Sequence, residues 1–273
     1  MASPDDSPLG KPAPYTDRYD PGLLFPIARA AARARLGIGG ALPFAGADLW
    51  TAYELSWLGP SGRPEIAIAR FRVPAASPSL IESKSVKLYL NSFSQTSFAT
   101  PEAVERALDG DLARACGAPV AVELVRPAAF ARLAIEALAG ESIDGQELEL
   151  RDASPRPDAL AAGGATVEEA LVSELFKSNC PVTGQPDWGS VQVRYRGPRI
   201  DRAGLLRYLV SFRQHVGFHE DCVERIFVDV RERCRPERLT VYARFTRRGG
   251  VEINPFRSDW EPAPAASGRT ARQ

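Results

Sequence analysis

Hydrophobic and polar residues along the chain form two similar series of strands and helices. In the first half, Leu49 to Trp57 and Glu65 to Val73 alternate like the strands of a hairpin, with a Gly-Pro-Ser-Gly turn between them. Apolar residues then recur at helical spacing, and Thr100 with Pro101 is typical of a helix start. The elements predicted after the hairpin are helices at Ser83 to Phe93, Glu102 to Cys116 and Phe130 to Leu138, and strands at Val120 to Val125 and Glu147 to Leu150.

The second half repeats this order, with a longer loop in its first hairpin. Its predicted strands are Glu168 to Lys177, Ser190 to Arg196, Leu239 to Phe245 and Val251 to Ile253, and its predicted helices are Ala203 to Arg213 and Glu220 to Cys234. The residues themselves also repeat, because YLNSFSQ at Tyr89 and YLVSFRQ at Tyr208 lie 119 positions apart. Two copies of one structural unit are therefore expected.

Each copy has the order β-β-α-α-β-β, which predicts the α+β class, with an antiparallel four-stranded sheet and two helices on one face. We predict tails at 1–21 and 261–273 that are mobile or draped over the surface, because their composition cannot bury enough area to offset the entropy of ordering. Between them we predict an N-terminal module at 22–151, a linker at 152–166 and a C-terminal module at 167–260.

Charge and cysteine content argue against several classes of protein. The chain has 34 basic and 34 acidic residues and a formal net charge of +0, which leaves no electrostatic footprint for nucleic acid or an anionic membrane. Four scattered cysteines without a CxxC pair are too few for a disulfide framework and indicate a reducing cytoplasm. The N-terminus has no apolar signal region, and no stretch approaches the roughly 20 apolar residues of a membrane span. A cytoplasmic protein that acts on a small molecule is expected.

The stretch Phe176 to Val191, FKSNCPVTGQPDWGSV, carries the candidate chemistry. Cys180 lies in a loop whose prolines and Thr183-Gly184 pair forbid helix and disfavour strand, and the loop ends at Asp187. A thiolate beside a carboxylate that moves protons suits covalent attack on an electrophilic carbon. The alternative is a packing cysteine in a turn with a solvated aspartate beside it, and spacing by itself favours that alternative.

Three motifs together carry a family resemblance. ESKSVKLYLNSF begins at Glu82, SNCPVTGQPDW contains Cys180, and FHEDCVERI begins at Phe218. In this combination, and over about Asp17 to Arg257, the chain resembles the two-module form of the NADPH-dependent 7-cyano-7-deazaguanine reductases, the nitrile reductases of queuosine biosynthesis, which is a tRNA modification. The resemblance implies tandem modules of the tunnelling fold, whose unit is the β-β-α-α-β-β order predicted above, with the C-terminal module as the catalytic one.

The resemblance also implies chemical roles. Cys180 would add to the substrate nitrile to form a covalent thioimide, and Asp187 would supply and remove protons. Two hydrides from NADPH would then reduce the thioimide to a primary amine, because its protonated C=N accepts hydride better than a nitrile does. Glu220, at a predicted helix start, would accept both the ring N–H and the exocyclic NH₂ of the deazaguanine.

Further contacts follow from the same resemblance. The implied substrate contacts are Ile81, Glu82, Ser83 and His219, and the implied NADPH contacts are Ser83, Lys84, Arg248 and Gly249. The chain has no Rossmann motif, since Gly37-Ile38-Gly39-Gly40 lacks the third glycine and a following βαβ unit. Basic side chains beside a Gly-Gly backbone can meet phosphate oxygens without such a motif. Helix capping by Glu82 and Glu220 and a solvated hairpin turn at Arg248 are the structural alternatives.

Two other functions stay open at this point. His219 and Cys222 are three residues apart on a predicted helix, as in a zinc hydrolase on the same fold, although a chain with two histidines is short of ligands. A non-catalytic purine-binding module would use Glu220 and leave Cys180 idle. The resemblance favours the reductase, with NADPH as cofactor, no metal, no direct contact with nucleic acid or membrane, and a homodimer joined through sheet edges.

Overall fold

The computed structural model describes residues 15–149, 154–265 and 268–273. The strands are β1 (Pro26–Ala28), β2 (Ala45–Leu58), β3 (Pro64–Pro74), β4 (Ser79–Ile81), β5 (Ala121–Val125), β6 (Glu141–Ser142), β7 (Ala162–Asn179), β8 (Pro186–Ile200), β9 (Arg238–Phe245) and β10 (Val251–Ser258). The helices are α1 (Ala30–Arg35), α2 (Ser83–Asn91), α3 (Pro101–Cys116), α4 (Pro127–Phe130), α5 (Arg202–Val210) and α6 (His219–Cys234). The predicted α+β class is confirmed.

Eight strands form one continuous sheet in the order β5-β3-β2-β10-β9-β8-β7-β6. β2 of the first module and β10 of the second pair antiparallel, from Ala52 with Val251 to Ala45 with Ser258. This pairing makes a single sheet out of the two modules. All its pairings are antiparallel except the short contact of β6 with β7. A separate two-stranded ribbon pairs β1 with β4.

Two pairs of helices cover the sheet, one pair for each module. α2 and α3 enclose a core with β2 and β3, and α5 and α6 enclose a second core with β7, β8 and β9. The same tyrosine–aspartate hydrogen bond joins the helices of each pair. Oη of Tyr89 donates to Oδ2 of Asp111 at 2.7 Å, and Oη of Tyr208 donates to Oδ2 of Asp229 at 2.6 Å. The duplication expected from the sequence is therefore present in the packing.

The end of the first module differs from the prediction. Helix α4 stops at Phe130, and 131–138 is not helical, because the main chain pairs there with the C-terminal segment through the Glu136 N–H and the Arg269 carbonyl. Residues 147–149 of the predicted strand are not in a strand, and Leu150 lies outside the described residues. β6 pairs instead with β7 of the second module, where Ile143 is fully buried in the core. Residues 22–151 therefore add β2, β3 and β5 to one end of the sheet and the short β6 to the other end, and not the predicted four neighbouring strands.

The described parts of the expected tails and linker make specific contacts. Tyr19 packs edge-on against Phe93 and Phe98 and donates a hydrogen bond from its hydroxyl to Asp111. Gln273 is buried, and its side-chain amide donates to the carbonyl of Phe245. β7 begins at Ala162, inside the range predicted as a linker. Among the residues described, none of the helices is both long enough and apolar enough to span a membrane.

Candidate active site

A cleft at the junction of the two modules brings together most of the predicted site residues. The end of β4 and the start of α2 form one wall, and the β7–β8 loop, the start of α6 and the β9–β10 turn form the other. The lining residues are Leu80, Ile81, Ser83, Cys180, Pro181, Asp187, Phe218, His219, Glu220, Arg248 and Ile253. The cleft encloses about 340 Å³ including its open mouth. Four larger cavities among the described residues are lined by neither cysteine nor histidine, so the chemistry is concentrated here.

A tight loop between β7 and β8 fixes the position of Cys180. The Cys180 N–H donates to the carbonyl of Gln185 at 2.8 Å, and the Gly184 N–H donates back to the carbonyl of Cys180 at 3.1 Å. Gly184 adopts a φ of 66°, which glycine accepts at low cost. Cys180 is only 3% exposed and lines the cleft.

Hydrogen bonds to sulfur offset the effect of burial on the Cys180 thiol. Burial raises the pKa of the thiol. Hydrogen bonds from the side chain and backbone of Thr183, from the Val182 backbone and from the Arg248 side chain together lower the pKa by more, so it lies below the ordinary value. A lowered pKa increases the thiolate fraction, which is the nucleophilic form. The other three cysteines behave differently, since burial raises the pKa of each of them (Cys116, Cys222 and Cys234).

Asp187 lies at the start of β8 and is 4% exposed. Its Oδ1 atom is 3.0 Å from Nη2 of Arg248 and 3.4 Å from Nε2 of His219. His219 stacks on the ring of Phe245 with centroids 3.9 Å apart, which fixes the imidazole plane. Its Nδ1 atom is buried and has no hydrogen-bond partner among the described residues. A bound molecule could supply that partner.

Glu220 occupies the first turn of α6, where a carboxylate is favoured by the helix dipole. The residue is 3% exposed. Burial, and then the nearby negative charge of Asp48, raise the pKa of Glu220 to about 8, while Arg29 acts in the opposite direction. A buried carboxylate at a cleft wall is costly unless donors reach it. The position suits a ligand that offers hydrogen-bond donors.

The wall formed by β4 and α2 carries three predicted contacts, Ile81, Glu82 and Ser83, but only two of them face the cleft. Ile81 and Ser83 line the cleft. Glu82 does not line it and caps α2 instead, accepting hydrogen bonds from the N–H groups of Lys84 at 2.6 Å and Ser85 at 2.8 Å. The capping alternative therefore accounts for both carboxylate oxygens of Glu82, which is fully buried.

Two of the residues expected to contact NADPH, Arg248 and Gly249, form a basic corner beside the cleft together with Lys87. Arg248 lines the cleft, and Gly249 and Gly250 form the β9–β10 turn with φ values of 55° and 71°. A Cβ atom on Gly249 would lie 3.2 Å from Cδ of Lys87, so the turn sits directly on the lysine. The Lys84 N–H is used in capping α2, and the Lys84 side chain does not line the cleft.

Sequence reasoning missed two polar residues at this site, Lys87 and Thr183, and four lining residues, Leu80, Pro181, Phe218 and Ile253. Burial lowers the pKa of the Lys87 ammonium and the Arg248 charge lowers it further, whereas Glu82, Asp187 and Cys180 raise it. Lys87 follows Ser83 by one helical turn, and this spacing could have indicated that it faces the same side. Thr183 lies three residues after Cys180 in a turn, where a hydroxyl commonly bonds to nearby groups.

The ligands of the zinc alternative are not assembled. Cys222 is fully buried in the core of the second module. Within 15–149, 154–265 and 268–273, no group of three or more His, Cys, Asp or Glu side chains is placed to hold a metal ion.

Comparison with known proteins places the chain in a family. Residues 15–124 match the family described as "Nitrile reductase, 7-cyano-7-deazaguanine-reductase N-term", and residues 186–264 match the family described as "QueF-like protein". A protein of Burkholderia vietnamiensis is 56% identical over 273 residues, which cover 99% of this chain and all of that protein. A protein of Burkholderia pseudomallei is 57% identical with the same coverage. Both are named NADPH-dependent 7-cyano-7-deazaguanine reductase.

The chain belongs to the family of NADPH-dependent 7-cyano-7-deazaguanine reductases. Cys180 lies between the two ranges matched by the family models, but inside the full-length alignments with the reductases. Among solved structures, the archaeosine synthase QueF-Like in the apo form covers 35% of this chain and 94% of its own, with 18% identity and a TM-score of 0.31. A likeness at that level adds nothing to the assignment to the reductase family.

Proposed function

We propose that the chain reduces the nitrile of 7-cyano-7-deazaguanine to the primary amine, 7-aminomethyl-7-deazaguanine, with NADPH as reductant. The observation that carries this proposal is the shared cleft of Cys180, Asp187 and Glu220. A thiol of lowered pKa, a buried carboxylate close to it and a second buried carboxylate at a helix start match the three requirements of the reaction. These requirements are a nucleophile for the nitrile carbon, a proton carrier and an anchor for the ring.

Cys180 is the proposed nucleophile. Its sulfur adds to the nitrile carbon, one C–N π bond breaks, and the nitrogen takes up a proton to give a thioimide. Addition of a hydride to that carbon gives a tetrahedral adduct, and release of the thiolate leaves an imine. A second hydride and protons complete the amine, so each nitrile consumes two NADPH and two protons overall. The hydrogen bonds from Thr183 and Arg248 favour the thiolate both as nucleophile and as leaving group.

Asp187 is the proposed proton carrier. Its burial and its position at the start of β8 put a carboxyl group on the wall that also carries the thiol. Arg248 contacts both groups, with 3.0 Å from its Nη2 atom to Oδ1 of Asp187. A shared cation keeps the two anions close together while protons move to and from the substrate nitrogen.

Glu220 is the proposed anchor of the base. The deazaguanine ring presents a ring N–H and an exocyclic NH₂ side by side, and one carboxylate accepts from both. His219, with its free buried Nδ1 atom in the described structure, and the apolar side chain of Ile81 complete the proposed pocket. Ser83 lines the opposite wall and could meet either substrate or cofactor.

NADPH, when bound, supplies hydride. The residues that would hold it are Ser83, Lys84, Arg248 and Gly249, to which we add Lys87. Burial, and then the positive charge of Arg248, lower the pKa of Lys87, and a phosphate would relieve the repulsion between the two cations. The Gly249–Gly250 turn has no side chain that would block such a group.

We also propose the assembly and setting expected from the sequence. The chain would form a homodimer that pairs exposed sheet edges, since the open sheet ends at β5 on one side and at the two-residue β6 on the other. The enzyme would work in the cytoplasm, in the queuosine branch of tRNA modification, and without binding nucleic acid itself. Sedimentation of the purified protein with and without NADPH tests the dimer.

Turnover tests the proposal. Purified protein supplied with 7-cyano-7-deazaguanine and NADPH should oxidise two NADPH for each nitrile and release the primary amine, which mass spectrometry identifies. Activity that survives a chelator separates this reaction from a zinc hydrolase. Binding of the base without NADPH oxidation would support the non-catalytic module and contradict the reductase.

A further inference from the structure

Five charged side chains form a buried ion cluster, composed of Arg29, Arg33, Asp48, Glu224 and Arg257. None is more than 8% exposed. Nη2 of Arg257 lies 2.8 Å from Oδ1 of Asp48 and 2.9 Å from Oε1 of Glu224. Arg29 donates to Oδ2 of Asp48 at 2.5 Å, and Arg33 donates to both oxygens of Glu224 at 2.9 and 2.7 Å. The cluster is therefore continuous.

The ion cluster joins the two modules to each other. Arg29, Arg33 and Asp48 come from the first module, whereas Glu224 and Arg257 come from α6 and β10 of the second. A further hydrogen bond holds Arg29 within the first module, since its Nε donates to the Ser77 hydroxyl at 3.2 Å. The contact between modules is thus made by fixed, charge-assisted geometry as well as by the β2–β10 pairing.

Two of the segments that hold the cluster, α6 and β10, carry a residue of the cleft, and β1, next to Arg29, pairs with one. Arg29 directly follows β1, whose Pro26 pairs with Ile81 of β4. On α6, Glu220 precedes Glu224 by four residues, which places both on one face of the helix. On β10, the cleft residue Ile253 likewise precedes Arg257 by four positions. Fixing the cluster therefore fixes both cleft walls relative to each other.

Stability alone does not account for such a cluster. A buried ion pair is often no more stabilising than apolar residues of the same volume. The three arginines and two carboxylates carry one surplus positive charge, and Glu220 lies one helical turn before Glu224, whose Oε1 atom is 4.0 Å from Nη1 of Arg29. Burial raises the pKa of Glu220, the charges of Asp48 and Asp221 raise it further, and Arg29 lowers it. Arg29 is thus the member of the cluster that compensates the charge of the substrate anchor.

We propose that Arg29, with the ion cluster it belongs to, is a positioning residue for the substrate: it holds Glu220 at the cleft wall and supplies the countercharge that the carboxylate needs when it binds the base. The inference rests on the proposed function for the identity of the base. It predicts that loss of Arg29 weakens binding of the base and leaves the covalent step nearly unchanged once the base is bound.

The test compares Arg29→Met, Arg29→Lys and Tyr208→Phe. Tyr208→Phe is the control because it removes a hydrogen bond to the same helix, α6, away from the cleft. Calorimetry in a Cys180→Ala background gives the dissociation constant of 7-cyano-7-deazaguanine, and stopped-flow absorbance with Cys180 present gives the limiting rate of adduct formation. We expect Arg29→Met to raise the dissociation constant at least tenfold with a limiting rate within threefold of the parent. Arg29→Lys should recover most of the affinity.

Unchanged affinity in a folded Arg29→Met protein would overturn the inference, as would an equal loss in Tyr208→Phe. If Arg29→Met does not fold, Arg33→Lys at the edge of the cluster should still raise the dissociation constant about threefold, and unchanged affinity there would overturn the inference instead. A different result would contradict the proposed function: the parent protein would bind the base but form no adduct. A Cys180→Ala protein that does not bind the base would overturn both.

Discussion

Arg248 places its Nη2 atom 3.0 Å from Oδ1 of Asp187, and the same guanidinium donates a hydrogen bond to the sulfur of Cys180. Nη1 of Arg248 donates in addition to the side chain of Gln185 at 2.7 Å, so the turn that carries it is tied to the cysteine loop. One side chain thus connects the nucleophile, the proton carrier and the corner expected to receive NADPH.

Loss of the donors to sulfur should raise the pKa of Cys180. Thr183→Val removes the hydroxyl donor with little change of volume, and Arg248→Met removes the cation. In both variants the rate of alkylation by iodoacetamide, measured against pH, should rise at a higher pH than in the parent, because less thiolate is present at a given pH. Arg247→Met is the matched control, since Arg247 lies over the ring of Tyr53. An unshifted profile in both variants would show that these donors do not set the thiol pKa.

Asp187→Asn should separate binding from chemistry. The amide keeps the size of the side chain but cannot carry a proton, so adduct formation or its reduction should slow by about 100-fold or more. Affinity for the base in the Cys180→Ala background should change little. Rapid-mixing kinetics and calorimetry give the two quantities. A variant that loses affinity but reacts at the parental rate once saturated would assign Asp187 to binding only.

Binding of the base should depend on pH through Glu220. The raised pKa of about 8 means that the empty site holds a proton on this carboxyl at neutral pH, whereas a base that donates two hydrogen bonds needs the ionised form. Affinity should therefore rise with pH and level off above about 8, by up to tenfold per pH unit below that value. Calorimetry of the Cys180→Ala protein between pH 6 and 8 measures the slope. Glu220→Gln should bind weakly and without this slope, and an equal slope in Glu220→Gln would point to another group.

Removal of the Glu220 side chain should cost affinity more than stability. Glu220→Ala leaves two donors of the base unpaired, at a cost of about 2 to 4 kcal/mol in binding. The folded state should not suffer, because a buried carboxyl that disfavours ionisation has been removed. Binding assays and thermal melting of the same variant give both values. Unchanged affinity would take Glu220 out of the pocket.

The pairing of β2 with β10 should not tolerate a side chain at Gly46. This residue has a φ of 144°, and a Cβ atom there would lie 2.0 Å from the carbonyl oxygen of Phe256 on β10. Gly46→Ala should lower the free energy of unfolding by more than about 2 kcal/mol, since backbone would have to move. Gly39→Ala is the control, because a methyl group there would meet no atom within 4 Å and the φ of Gly39 is ordinary. Equal melting temperatures for the two variants would contradict the close β2–β10 contact.

Local patterns in the sequence predicted most of the fold. Strands such as Glu65 to Val73 and helices such as Glu102 to Cys116 carry their period and their start signals in adjacent residues, and both occur within a residue or two of the prediction. The prediction was wrong at 131–138 and 147–149, where distant segments decide the structure. β6 exists because β7 offers an edge and Ile143 enters the second core, which no local pattern reveals.

The candidate site likewise has features that short motifs predict and features that depend on distant segments. The cysteine loop, the start of α6 and the Gly249 turn are short motifs that could be read directly. The capping role of Glu82, the contact of Lys87 with Gly249 and the ion cluster around Asp48 depend on which segments meet in space. Arg29 and Glu224 are 195 positions apart, a separation that spacing rules for one helix or hairpin do not cover.

The most direct test of the central claim is the intact mass of the protein after mixing with 7-cyano-7-deazaguanine in the absence of NADPH. Covalent attack by Cys180 predicts a mass gain of one base, located on the peptide that contains Cys180, absent from Cys180→Ala and lost again when NADPH is added and the amine is released. A wild-type protein that binds the base and stays unmodified at Cys180 would contradict the account.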